Sequence, residues 1–245
     1  MTLAAGGSGS QTGRTAWGLP DALLCWMAGY LGAVLASFPL YAGHGTGDLD
    51  SRVVFGIVLP AQQLTIVLAV VYVSRVKGQR TLAGDFGFRM RLRDVRFLVV
   101  GACLEVALTL ALVPILHLDP SVKNQQLLND LDKHRDAATI VLFVVGAVIF
   151  APLVEELLFR GVLLRGLLRK VDPAVAVLLS AVIFAGVHYI GDPNTLPFLP
   201  ALAGLGAVLA VTALRTGDLS ASIFIHAGFN LTTTILFLAS GAKLS

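Results

Sequence analysis

The chain is 245 residues long, 56% hydrophobic and only 13% charged, with a mean hydropathy of +0.81. Soluble globular chains average about 25% charged residues, so an ordinary water-soluble domain is excluded and a polytopic helical membrane protein is expected. The net charge of +3 is small and comes from basic clusters beside apolar runs, which argues for a topology signal and against nucleic acid as a partner.

Residues 1–16, rich in Gly, Ser and Thr, read as a flexible tail ahead of one domain spanning 17–245. No small-residue cleavage site closes a short apolar run, so the first apolar segment reads as a retained helix. Seven apolar segments follow in order: Leu19–Tyr41, Val53–Val73, Phe97–Leu116, Ala137–Leu168, Pro173–Ile190, Leu196–Leu214 and Leu219–Ser240. The expected fold is therefore all-α, a membrane bundle of about seven transmembrane helices. The fourth segment exceeds the roughly 20 residues that one span needs, and Pro152 is a candidate kink within it.

Lys and Arg alternate from loop to loop. The second loop carries Arg75, Lys77, Arg80, Arg89, Arg91, Arg93 and Arg96, and the fourth carries Arg165, Arg169 and Lys170. The first loop, His44 to Asp50, is acidic; Asp119–Asp136 is mixed, and Gly191–Asn194 carries only Asp192. By the positive-inside rule the N-terminus is cytoplasmic and the C-terminus external, in a bacterial-type plasma membrane. The Arg89–Arg96 stretch reads first as a topology anchor. Cys25 and Cys103 form no metal or disulfide pattern and read as small core residues. His44, His117 and His134 lie in or beside external loops and read as surface groups.

The chain has only three glutamates, Glu105, Glu155 and Glu156, and all three lie in apolar segments. A carboxylate at the centre of a membrane helix costs roughly 2.5–3.5 kcal/mol on insertion scales and usually faces a bundle interior or a watered cavity. Glu155 and His188 are equidistant from a hairpin turn near Val171–Asp172, so two antiparallel helices bring them to one height. His226 lies about ten residues, or roughly 15 Å, beyond the turn near Thr216–Gly217, and Asn230 shares its helix face. Arg160, at i+4 from Glu156, most simply neutralises that neighbour.

A Glu and a neutral His across a cavity can hold and deprotonate water, and His226 and Asn230 can donate to the oxyanion formed on a peptide carbonyl. The pattern thus points to peptide-bond hydrolysis in the cytoplasmic half of the bilayer. Singly, each feature has a plainer reading: an intramembrane His as an interhelical hydrogen-bond partner, a Glu–Arg pair as a structural ion pair. Their common depth favours chemistry. Phe159, at i+4 from Glu155, and Phe184, at i−4 from His188, read as packing around the site or as plain core. Glu105, at a similar depth, is expected to pair elsewhere.

Three motifs in order carry a resemblance. These are Glu155-Glu156-Leu157-Leu158-Phe159-Arg160 (EExxxR), Phe184-Ala185-Gly186-Val187-His188 (FxxxH) and His226-Ala227-Gly228-Phe229-Asn230 (HxxxN). Over about Phe150 to Leu231 the chain resembles the CPBP (CAAX protease and bacteriocin-processing, or Abi) intramembrane proteases, which include the Ras-converting-enzyme type of CAAX prenyl endopeptidase. The resemblance implies a catalytic core of about 137–240, with Glu155 and His188 activating water and His226 and Asn230 stabilising the oxyanion. It implies a membrane-associated peptide or lipidated peptide as substrate, prenylated CAAX-type peptides among them. No cofactor is favoured; a divalent metal such as zinc, were one held, would take Glu155, His188 and His226. A different class of function is a non-catalytic scaffold or bacteriocin-immunity protein binding a partner through the same cavity. A proton-coupled transporter using Glu105 and Glu155 is a third, disfavoured by the lack of an internal repeat.

Overall fold

The computed structural model describes residues 17–44, 49–115, 131 and 136–241. The expected tail 1–16, and His117 and His134, lie outside the described residues, as does the side chain of His44. The described residues are helical and contain no strand.

Among the described residues seven helices are long and apolar enough to cross a membrane, and their ends fall within five residues of those expected. They are α1 (Leu19–His44), α2 (Ser51–Lys77), α3 (Phe97–Ile115), α4 (Ala137–Leu167), α5 (Pro173–Gly191), α6 (Leu199–Thr216) and α7 (Ser220–Gly241). Short 3₁₀ turns, Leu92–Arg96 and Pro193–Phe198, lead into α3 and α6. The bundle is an integral membrane protein. Its outer faces expose Leu23, Leu24, Leu31, Phe38, Leu64, Leu68 and Leu110, a surface that hydrocarbon tolerates and water does not.

Pro152 does not simply bend α4. Around it the helix changes pitch: Val145–Phe150 is π-helical, Ala151–Glu156 is α-helical, and Leu157–Leu164 is π-helical again. A proline cannot donate to the carbonyl four residues back, so the preceding turn is free to widen. The second π stretch directly follows the two glutamates, and all eight of its residues are buried.

Polar contacts tie the helix ends together. Asp136 caps α4, accepting from the Ala138 and Thr139 amides, and pairs with Arg52 of α2 at 3.1 Å. The Thr139 hydroxyl, first among these partners, holds the Asp136 carboxyl well below the usual carboxylate range. At the opposite end Arg165 donates to the Gly217 carbonyl (2.9 Å) and Arg169 to that of Trp17 (2.6 Å), so the foot of α4 grips both the start of α1 and the α6–α7 turn. One expectation is corrected here. Cys25 is buried, but Cys103 is exposed on α3 and is not a core residue; α3 turns Gly101 and Glu105 inward, and position 103 falls on the face between them that looks out.

The tightest helix pair is α3 with α7. A Cβ on Gly101 would collide with the Ile225 carbonyl, and one on Gly228 with the Leu98 carbonyl. Small residues let membrane helices meet backbone to backbone, where dispersion substitutes for the absent hydrophobic drive. Gly146, by contrast, has nothing within 4 Å of where its Cβ would be. Gly101→Val and Gly228→Val are therefore expected to cost about 1–3 kcal/mol or more. Gly146→Ala is expected to be neutral or mildly stabilising. Thermal unfolding of the three variants in one detergent checks the order.

Candidate active site

Adjacent positions on a helix point about 100° apart, so Glu155 and Glu156 face different surroundings. Glu156 points into the bundle and is fully buried. Its Oε1 accepts from Nη1 of Arg160 at 2.7 Å and lies 3.3 Å from Nδ1 of His226. Arg160, also fully buried, sends Nη2 to the Gly206 carbonyl of α6 at 3.0 Å and lays its guanidinium 4.5 Å from the centre of the Phe184 ring. One arginine thus joins α4, α5 and α6.

Glu155 looks toward a half-open side. Nε2 of His188 and Nε2 of His226 each lie 3.8 Å from its Oε2, an atom that is buried with no hydrogen-bond partner among the described residues. The side chains of Glu155 and His188 are 27% and 29% exposed, against 3% for His226, so access comes from the Glu155–His188 side.

Backbone and side-chain partners assign the imidazole protons. Nδ1 of His188 is 2.7 Å from the Phe184 carbonyl, one turn back. A carbonyl only accepts, so Nδ1 carries the proton and Nε2 of the neutral ring presents a lone pair to Glu155. Nδ1 of His226 donates in the same way to the Glu156 carboxylate at 3.3 Å. A separation of 3.8 Å is too long for a direct bond and is the kind that a bridging water closes.

The structure brings Glu155, Glu156, Arg160, His188 and His226 together, with Phe184 at their centre. Its ring meets those of His188 (4.7 Å), Phe159 (5.2 Å) and His226 (5.7 Å) edge-on and has no exposure. The Asn230 amide donates to the Ala147 carbonyl at 2.8 Å, in the first π stretch of α4. Glu105 pairs away from the cluster, with Thr109 at 3.4 Å and the nearby Thr233 of α7. Sequence reasoning missed Gly206, whose contribution is a carbonyl, and Ser222, a buried hydroxyl bordering Glu156. Ser222 lies four residues before His226 on the same helix face, and that spacing was the available signal.

Among the described residues no group of three or more His, Cys, Asp or Glu side chains is arranged to hold a metal ion. Glu155, His188 and His226 are chemically suitable donors. Nε2 of His188 and Nε2 of His226 both face Glu155, and Nδ1 of His226 donates to Glu156, so an ion there would be held by the two Nε2 atoms and the Glu155 carboxylate.

Residues 137–232, which run from the start of α4 to just past the middle of α7, match a family model. The match is to type II CAAX prenyl endopeptidase, Rce1-like. It contains every residue of the cluster and leaves α1, α2 and α3 outside. This is the protease family that the three motifs resemble, and the matched region extends beyond Phe150–Leu231 to take in the whole of α4. No curated protein and no solved structure matches the chain.

The buried pair sets a stability test. Arg160→Ala leaves Glu156 charged and uncompensated and is expected to destabilise by about 3–5 kcal/mol. Glu156→Gln combined with Arg160→Met removes both charges and is expected to be milder than Arg160→Ala alone. Yield of monodisperse protein and its unfolding temperature in detergent measure both.

Proposed function

We propose that this Rce1-like protein is an intramembrane endopeptidase that hydrolyses a peptide bond of a membrane-associated substrate, prenylated CAAX-type peptides being the leading class. The observation that carries this reading is the convergence of two imidazole Nε2 atoms on the unpartnered Oε2 of Glu155, at 3.8 Å each.

Water held between Glu155 and Nε2 of His188 loses a proton to the carboxylate as its oxygen attacks the substrate carbonyl. The C=O π bond opens to a tetrahedral oxyanion. Glu155 then returns the proton to the departing amine as the C–N bond breaks, so the carboxylate is regenerated. The oxyanion needs donors already in place. His226 turns Nε2 toward the site and donates from it only when both ring nitrogens carry protons, with Glu155 on one side and Glu156 on the other. Asn230 has a second amide hydrogen beyond the one given to Ala147. Glu156 and Arg160 act through His226, holding its ring and fixing which nitrogen faces the reaction.

Lys and Arg bias supports a site in the cytoplasmic half of the bilayer, with the N-terminus inside and the C-terminus outside. A lipid-anchored peptide tail presented at that leaflet is in reach of the exposed edge of Glu155 and His188.

Glu155→Gln and His188→Ala are expected to lower cleavage of a prenylated CAAX-type peptide by at least about 10²–10⁴-fold, with unchanged elution and unfolding profiles. Full activity in either variant overturns the proposal. So does a Glu155→Gln protein that supports the cell's phenotype as well as wild type, the outcome that a binding scaffold requires. In the metal-free reading, activity of the purified enzyme survives chelators; loss with EDTA and recovery with zinc refutes that part alone.

A further inference from the structure

Between α2 and α3 the chain carries a surface that the site does not use. In a 3₁₀ helix, side chains three apart stand in one row, so the turn Leu92–Arg96 has three faces. Arg91, Asp94 and Phe97 form the inward row. Arg91 pairs with Asp218 at 2.6 Å and its amide donates to the Ser220 hydroxyl at 2.9 Å; Asp94 is buried and Phe97 half-buried. The second row is apolar and outward: Leu92 is 91% and Val95 49% exposed. The third is basic and outward, Arg93 and Arg96, with exposed Arg89 just before the turn. The carboxylate nearest Arg93 is that of buried Asp94, at 3.9 Å, and Arg96 lies over the Phe97 ring at 5.2 Å.

We infer that this turn docks anionic phospholipid of the leaflet that it borders, with Leu92 and Val95 entering the acyl boundary and Arg93 and Arg96 meeting headgroup phosphate. A leucine held almost wholly clear of the protein gains its burial only from hydrocarbon. Guanidinium forks bind phosphate oxygens in pairs. Charge complementarity selects the anionic headgroup, and the apolar row beside it selects a lipid over free phosphate. The inward row carries the effect onward. Arg91 grips Asp218 and Ser220, and the Leu219 amide donates to the Gly87 carbonyl at 3.0 Å, so a lipid that orders the turn also holds the start of α7, the helix bearing His226.

The test reads lipid preference and unfolding and is independent of proteolysis. Full-length protein is placed in phosphatidylcholine membranes with spin-labelled phosphatidylglycerol as the probe. Wild type is expected to prefer phosphatidylglycerol and to unfold at higher temperature in its presence. Arg93→Gln/Arg96→Gln is expected to lose that preference by roughly tenfold to thirtyfold, while Arg75→Gln/Arg80→Gln, with the same net charge, keeps it. Unchanged preference in the first variant, or equal loss in both, overturns the inference. Competition by inorganic phosphate at matched concentration refutes the lipid as occupant. Should the first variant fail to fold, 1 M salt must abolish the preference of wild type, and persistence there overturns the inference equally.

Discussion

The structure depends on one ion pair that has no contact with water. Glu156 and Arg160 are both fully buried, one helical turn apart, in a bundle whose surroundings are hydrocarbon. Such a pair is tolerated only when the remaining donors and acceptors are met from within. Here the Gly206 carbonyl, the Phe184 face and His226, each from a different helix, meet part of that need, while Glu156 Oε2 and Arg160 Nε find no hydrogen-bond partner among the described residues. Satisfying the charges therefore gathers α5, α6 and α7 around α4. The pair also decides what its neighbour does: with Glu156 turned inward, Glu155 is left on the accessible side. Two consecutive carboxylates acquire opposite characters because a helix rotates between them.

Much of this was legible in the residues. Hydrocarbon admits helices and little else to a chain of this composition, so apolar run lengths predicted seven spans closely. Equal chain distance from a turn placed Glu155 and His188 at one depth, and i,i+4 spacing placed Arg160 on Glu156. Apart from the Ser222 hydroxyl, the contacts that the residues did not show are carried by the main chain. The carbonyls of Phe184, Gly206 and Ala147 orient His188, Arg160 and Asn230, and a carbonyl leaves no mark on residue identity. The π-helical pitch of α4 escaped for the same reason, and with it the seat that Ala147 offers Asn230. Cys103 was misplaced because a uniformly apolar helix gives no sign of which side meets lipid.

The family match stops short of α1, α2 and α3, yet these helices frame the site. Gly101 of α3 presses on α7, Gly18 lies against Gly166 at the foot of α4, and Trp17 takes the Arg169 guanidinium on its ring at 4.2 Å. Holding the cluster takes particular side chains at particular heights. Buttressing it takes only close contact, which many sequences supply.

The backbone contact between α3 and α7 has a further consequence. Carbonyl oxygens wedged against glycine leave no slack for sliding, so the wall bearing His226 and Asn230 behaves as an anvil. Any breathing of the bundle must then come from the opposite jaw, where α5 carries His188 and a Cβ on Gly186 would meet nothing within 4 Å. His188 would shift with that motion, while His226 and Asn230 stay put.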